Sequence, residues 1–319
     1  MAQHFLLSAK ARTLSVKEIY KAGEEAAYQT FCNLRWSETD GEAICPRCGC
    51  TDSYSISTRR KFKCKACHHQ YSVTSGTIFA SRKLDFVDLL AAIALFVTNA
   101  KGMSSVQFSR VMDVQYKTAW VMAHKLREAF ASEPVEFDGE VEIDGAYFGG
   151  HIRPENEKKD RKDRRLKENQ TGTRRVVIAL RERAGRTLAF VRRSEQEGVE
   201  IAKAALDRAT ALFADEASHW DTLEDHFDVG RINHSEMYSD QNGKHTNWVE
   251  SYFSRLRRMV SGQHHFVSPK YLHQYATHAA WIEDHRETGA KELTFRALRN
   301  ALLSPVSREF KGYWQRKAA

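Results

Sequence analysis

The sequence predicts a mixed α/β protein with two small modules ahead of its main domain, and three observations carry that expectation. Two C-x-x-C pairs, Cys45-Pro-Arg-Cys48 and Cys64-Lys-Ala-Cys67, stand 15 residues apart, a spacing that lets two turns present four thiolates to one Zn²⁺. Residues 83–132 carry apolar side chains at helical spacing, in FVDLLAAIALFVT, SSVQFSRVM and VQYKTAWVMAHKLREAF. From 135 onward, alternating strand-like runs mix with helical ones, a pattern unlike a doubly wound βαβ repeat.

The elements follow in order. Residues 1–38 form a helical lead-in: 14–36 reads as one helix, with Ser15 and Glu18 spaced as a capping box and Ile19, Ala26, Phe31 and Leu34 recurring along it. Residues 39–80 are polar, Cys-rich and aromatic-rich, with short β-like runs YSIST and QYSVT, as in a zinc ribbon. Residues 81–133 are helical and end at Glu133-Pro134. The main domain, 134–290, runs through a strand to Asp144 and the hairpin pair RRVVIALRER and RTLAFVRR. A helix around 197–210, a strand to Asp215, a short helix near 219–227, the strand DVGRINHS and the helix HTNWVESYFSRLRRMV complete it. Inside it, 151–175 holds ten Lys/Arg against five Asp/Glu and almost nothing apolar, so it reads as a mobile basic loop. Residues 291–319 read as a basic C-terminal tail.

Composition narrows the function classes. The formal charge of +8 over 319 residues favours a polyanionic partner, since each neutralised phosphate releases condensed counterions. The apolar stretch LLAAIALFV is about half of what a membrane span needs, so the expected place is the cytoplasm, at the nucleoid when DNA is bound, with no membrane partner. No GxGxxG or Walker-type loop is present.

Four of six cysteines in paired C-x-x-C units, without an export signal, argue for metal ligation over disulfides. A redox dithiol is the alternative. Cys50, His68 and His69 are possible substitute ligands, each breaking the symmetry of the four, and Cys32 reads as a packed thiol. Arg47, Arg59, Arg60, Lys61, Lys63 and Lys65 would offset the thiolate charge or reach phosphates.

Ser104–Met112, the turn Asp113-Val114-Gln115 and Tyr116–Phe130, with Ala119, Met122, Leu126 and Phe130 on one stripe, suit a helix-turn-helix. Gln115, Tyr116, Lys117 and Trp120 would then face base edges in the major groove, aided by Arg110, Lys125 and Arg127. A helical packing unit that touches no DNA is the alternative.

Asp144, Asp215 and Glu250 are the candidate catalytic carboxylates. Two close at strand ends, and the third lies in the first turn of an amphipathic helix, 34 residues after Asp215. Phosphodiester cleavage needs an activated nucleophile and a stabilised leaving oxygen, which two hard cations about 4 Å apart supply when carboxylates hold them. Rivals are Glu140 and Glu142 on the Asp144 strand, Glu216 beside Asp215, and Asp240 in a turn-like SDQNG. Glu250 could instead close a capping box with Asn247. Asn247, Glu250 and Arg257 share a helix face, so Arg257 can reach a phosphate there; Arg255 and Arg258 read as solvated. His245 and His234, with Asn247, are secondary candidates that either orient a phosphate or cap a turn.

The motifs LRW-x8-CPRCGC, FKCKACHHQYSVTSGTIF, GMSSVQFSRVMDVQYKTAW, VEIDGAYFGG, NHSEMY and HTNWVESYFSRLRR, in this order over roughly 15–285, resemble the zinc-ribbon-bearing DDE insertion-sequence transposases of bacteria, the ISXO-like group. The resemblance implies a ribonuclease-H-like catalytic core, Asp144, Asp215 and Glu250 as an acidic triad holding two Mg²⁺ or Mn²⁺, and Arg257 as the basic residue two turns on. It also implies Cys45, Cys48, Cys64 and Cys67 as ligands of a structural Zn²⁺. The expected activity is cleavage and strand transfer at element ends, with the element ends and target DNA as partners and a second copy of the chain on that DNA. Competing readings are a non-catalytic DNA-binding regulator and a structure-selective nuclease.

Overall fold

The chain, in a computed structural model, is described here for residues 4–150, 155–163, 166, 169, 172–233, 245–307 and 309–310. It divides into two units: residues 1–133 with 285–319, and Pro134–Asp284.

The first unit begins with α1 (Val16–Arg35). Its capping box forms as the sequence predicts, Ser15 Oγ accepting from the Glu18 amide while the Glu18 carboxylate accepts from the Ser15 amide. The helix is interrupted at Gly23, whose φ of 83° lies outside the helical region, so the single helix expected over 14–36 is two helical pieces. A three-stranded antiparallel sheet follows, β1 (Ser53–Ile56), β2 (Lys61–Cys64) and β3 (Gln70–Tyr71). Trp36 stands edge-on to Phe62, which packs on Tyr71, giving this small sheet an aromatic cluster. Three helices come next, α2 (Phe86–Thr98), α3 (Ser105–Val111) and α4 (Tyr116–Phe130). α2 is buried almost all round and forms the unit's centre.

Around it the structure departs from expectation. The chain returns after the second unit as a helix, α8 (Ala290–Leu303), packed against α1, α2 and α4. The stretch read as a basic tail is therefore, in its described part, a core helix: Thr294, Ala297, Leu298, Ala301 and Leu302 are buried, a 3–4 spacing that charge counting hid. Residues 311–319 lie outside the described residues.

The second unit is built on a five-stranded sheet: β4 (Val141–Phe148), β5 (Arg175–Glu182), β6 (Thr187–Arg192), β7 (Ala211–Asp215) and β8 (Asp228–Ile232), in the order β6-β5-β4-β7-β8. β4, β5 and β6 form an antiparallel meander, and β7 and β8 lie parallel to β4. Val141, Ile143, Ile178, Leu180, Leu212 and Ala214 fill one face with Trp220, Leu223 and the residues of α5 (Glu197–Ala205). Side chains alternate along a strand, so Glu142, Asp144, Phe213 and Asp215 project to the opposite face, against which α6 (Asn247–Met259) and α7 (Leu272–Asp284) pack. The helix expected over 197–210 stops at Ala205, and the one near 219–227 is a 3₁₀ segment, Ser218–Leu223. Of the predicted basic loop, 151–154, 164, 165, 167, 168, 170 and 171 lie outside the described residues, as do His234 and Asp240. No described helix is long and apolar enough to cross a membrane.

Candidate functional site

Each C-x-x-C pair sits in the same tight turn. The Gly49 amide donates to the Cys45 carbonyl at 2.9 Å, and the His68 amide donates to the Cys64 carbonyl at 3.1 Å. Both Gly49 (φ 74°) and His68 (φ 57°) take the left-handed backbone that the turn requires, so the residue after the second cysteine plays one role in both halves. The result brings Cys45 Sγ to 3.6 Å from Cys67 Sγ, and Cys48 Sγ to 3.6 Å from Cys64 Sγ. All four sulfurs lie within 4.8 Å of one another, matching the edges of a tetrahedron with Zn–S bonds of about 2.3 Å. The donor set therefore fits a structural Zn²⁺. The Cys67 backbone amide, 3.5 Å from Cys64 Sγ, pulls that thiol down to about 6, towards the ligating thiolate.

Cys50 stays outside the set, its Sγ 3.7 Å from the Asp52 carbonyl, and His68 and His69 are not among the clustered ligand atoms. Cys32 is buried on α1. Arg60 is not a ribbon counter-charge: its guanidinium pairs with Glu24 and Glu25 of α1 and lies 5.1 Å over the Tyr28 ring. Arg47, Arg59, Lys61, Lys63 and Lys65 remain on the surface.

At the start of α4, Gln115, Tyr116 and Lys117 are exposed. Two residues offered with them are not. Trp120 is half-buried with its ring 4.1 Å from His124 and 5.5 Å from Phe310, and Arg127 is wholly buried with its guanidinium 5.2 Å over Phe96. Arg127 is turned in against α2 and Trp120 against Phe310, beyond α8, partners that no local pattern announces.

In the second unit Asp144 and Asp215 come together through sheet register. Val141 pairs with Leu212 and Glu142 with Phe213, two residues short of Asp144 and Asp215 on the same two strands, and the Asp215 charge reaches the Asp144 carboxyl. Asp144 Oδ1 accepts from the Gly145 amide at 2.6 Å, and Asp215 Oδ1 from the Ala217 amide at 3.2 Å. Burial pushes the Asp144 carboxyl up to about 7, and the charges of Asp215, Glu195 and Glu250 add to the rise. The three sequence candidates therefore act on one another electrostatically, together with a fourth carboxylate that sequence reading missed. Glu195 lies between β6 and α5, and its own carboxyl is raised by burial and by Asp215. A side chain at Gly145 would meet Glu195 Cγ at 2.6 Å, so a glycine on β4 makes room for it. Its only sequence signal was a carboxylate just before a helix.

These carboxylates are an acidic, partly desolvated group that divalent cations would neutralise. Among the described residues only the four cysteines bring three or more ligand atoms all within 4.8 Å of one another, so the carboxylates are more widely spread than the ribbon set. Glu216 is exposed, on the far side of the strand end from Asp215.

The α6 helix settles several rivals. Its N-cap residue is Thr246, with no side-chain cap bond, in place of a box between Asn247 and Glu250. The cap comes from β4: Glu142 Oε2 accepts from the Trp248 and Val249 amides at 2.8 and 3.0 Å. Glu142 is fully buried, so it is no solvated strand carboxylate. His245 Nδ1 stands 2.9 Å from Glu142 Oε1. Asn247 and Arg257 are exposed on α6, and Glu250 lies on their face, half-buried. Arg255 is not solvated, its Nε lying 2.5 Å from the buried Glu283 carboxylate, while Arg258 is exposed.

Residues 136–284 match the family model of the ISXO2-like transposase domain, nearly the whole of the second unit. Residues 22–70 match that of the transposase zinc-ribbon domain. No curated protein matches the chain. With the ribbon's four clustered thiols ahead of the matched transposase domain, the chain belongs to the zinc-ribbon-bearing, ISXO2-like DDE transposases, a family of DNA-binding enzymes of the nuclease and transposase class.

Proposed function

We propose that the second unit is a ribonuclease-H-like core in which Asp144, Asp215 and Glu250 hold two divalent cations and cut and rejoin DNA at the ends of an insertion sequence. The strand order β6-β5-β4-β7-β8, with its antiparallel meander and two added parallel strands, supports that core. The observation that carries the reading is the Asp144 carboxyl, raised to about 7 and sensing Asp215, Glu195 and Glu250 together. Residues of like charge converge at the cost of their own ionisation where a cation is to be bound.

Mg²⁺ or Mn²⁺ bound there would activate water, and then the freed 3′-hydroxyl, for in-line attack on a phosphodiester. The chain's own part is placement. Asp144 and Asp215 stand on adjacent parallel strands, Glu250 faces them from α6, and Arg257 lies two turns along the same helix face, within reach of a phosphate's developing charge. His245 is tied to Glu142 and so braces the α6 entrance more than it orients substrate.

In the first unit we assign α3 and α4 to a helix-turn-helix that docks Gln115, Tyr116 and Lys117 on the element ends, with the ribbon's exposed cations on the backbone. Ser104 caps α3, and the tight turn between the helices closes through Asp113 at φ 48°. Trp120 then braces α4 instead of reading bases. Cutting two ends in one event calls for two catalytic units, so a second copy on the DNA is expected.

The test is metal-dependent cleavage of a duplex carrying the element end, with the gene and its native flanks also assayed for mobility in cells. Glu250→Gln should lose cleavage while keeping end binding, and full activity in that variant would sink the assignment. Cleavage of branched junctions without strand transfer would favour a structure-selective nuclease instead.

A further inference from the structure

We infer that Glu142 is a positioning residue for the catalytic carboxylates, a clamp that fixes the first turn of α6, and with it Glu250, against the strand carrying Asp144. The proposal rests on the carboxylate reading above.

Four contacts converge on one fully buried side chain. Glu142 Oε2 accepts from the Trp248 and Val249 amides, and Oε1 stands 3.1 Å from Arg183 Nε and 2.9 Å from His245 Nδ1. The helix needs this partner. Thr246 makes no side-chain cap bond, so the first-turn amides, which no intrahelical carbonyl can satisfy, take their acceptor from a strand distant in sequence. Arg183 extends the clamp: its Nη2 donates to the His245 carbonyl at 3.0 Å, its Nη1 pairs with Glu140, and its guanidinium lies 3.8 Å over the Phe213 ring on the Asp215 strand. One carboxylate and one guanidinium thus link β4, the turn after β5, β7 and the entrance to α6.

The sequence positions give the link its use. Glu142 precedes Asp144 by two residues on the same strand face, about 7 Å along the strand. Glu250 directly follows Val249, whose amide the clamp holds. A frayed first turn would move Glu250 relative to Asp144, whereas the buried stripe Val249, Tyr252, Phe253, Leu256 and Met259 would keep the rest of α6 seated. A helix held only by its apolar stripe can still shift by a fraction of a turn, and such a shift is enough to spoil a metal site.

The test uses the full-length chain with Glu142→Ala and Glu142→Gln, measured well below their melting temperatures. Mn²⁺ affinity by calorimetry, exchange rates of the α6 first-turn amides, and kcat and KM for end cleavage are the readouts. Supporting conserved ligands from behind typically matters about 10–100-fold in metal affinity. Glu142→Ala should weaken Mn²⁺ binding to that extent, speed exchange at Trp248, Val249 and Glu250 but not on β5, and lower kcat with KM for DNA unchanged. Glu142→Gln, whose one oxygen can still accept from both α6 amides but whose NH2 would face the Arg183 donor, should fall between, and it decides the matter if the alanine variant does not fold. Variants that melt earlier yet bind Mn²⁺ and turn over like wild type would overturn the proposal and leave Glu142 a purely structural residue. If Asp144→Asn also leaves Mn²⁺ binding intact, the carboxylate reading itself has failed; if that variant alone loses binding, only the clamp has.

Discussion

The ribbon and the acidic group both gather side chains of like charge, and they do so over different lengths of chain. The four thiols lie within 23 residues on two turns of the same design, so local hydrogen bonds from Gly49 and His68 suffice to shape each half. The carboxylates come from β4, the β6–α5 connection, β7 and α6; β4 and β7 are neighbours in the sheet, and Glu142 of β4 accepts from two first-turn amides of α6. The first site is self-contained and depends on its ion to hold its shape; the second depends on a prebuilt core and is acidic before any ion arrives. The ribbon should therefore fail as a fold when its metal is removed, and the acidic group should fail as a catalyst while its fold survives.

The sharpest break of this contrast is Asp215→Asn. It should abolish mobility in cells, with cleavage reduced at least about 1,000-fold, as expected when one member of a catalytic group that acts as a unit is removed, while circular dichroism stays that of the wild type. Mobility equal to wild type would move the assignment to Glu216 or Asp240.

Next in size is zinc removal. A Zn²⁺-selective chelator in excess Mg²⁺, or Cys64→Ser, should melt residues 39–80, because metal binding in such modules is worth on the order of 10 kcal/mol of folding free energy. Hydrogen exchange should show protection lost on β1–β3 and retained on β4–β8, with end affinity down. Equal loss in both units would erase the distinction drawn here.

Glu195→Gln should cost less, about 10-fold in kcat, since the residue shares the electrostatics of the acidic group without belonging to the triad. An effect as large as that of Asp215→Asn would make it a fourth ligand.

The smallest effect is on stability and runs opposite to activity. Asp144 is raised to about 7 in the folded chain, above an ordinary aspartate near 3.9. Folding therefore favours the protonated form; the stabilisation is complete below about pH 4 and is lost as pH rises through 7. Without metal, Asp144→Asn should gain over wild type between pH 4 and 8, by roughly 1–2 kcal/mol at the upper end once partial solvation is discounted. A gain that does not change with pH would mean that Asp144 carries no such burden.

The sequence by itself determined what is set locally: the ribbon's cysteine spacing, the Ser15–Glu18 box, the alternation that places Asp144 and Asp215 on strands, and the amphipathic face that turns Glu250 and Arg257 one way. Each depends on residues a turn or a hairpin apart, where backbone geometry converts spacing directly into position. The strand expected to close at Asp144 runs on to Phe148, because its pairing with β5 continues through Arg175, and only Asp215 stands at a strand end. Tertiary structure decided the rest. Arg127 and Trp120 look like DNA-facing residues until Phe96 of α2 meets the first and Phe310, beyond α8, meets the second, and the stretch that holds α8 advertises only its charge. Glu142 reads only as a rival of Asp144 on its strand and Glu195 draws no reading at all, since nothing near 142 in sequence reveals that the amides needing its carboxylate lie at 248 and 249. Burial and partnership between residues a hundred positions apart arise from how sheet and helices stack, and a one-dimensional pattern carries no record of that distance.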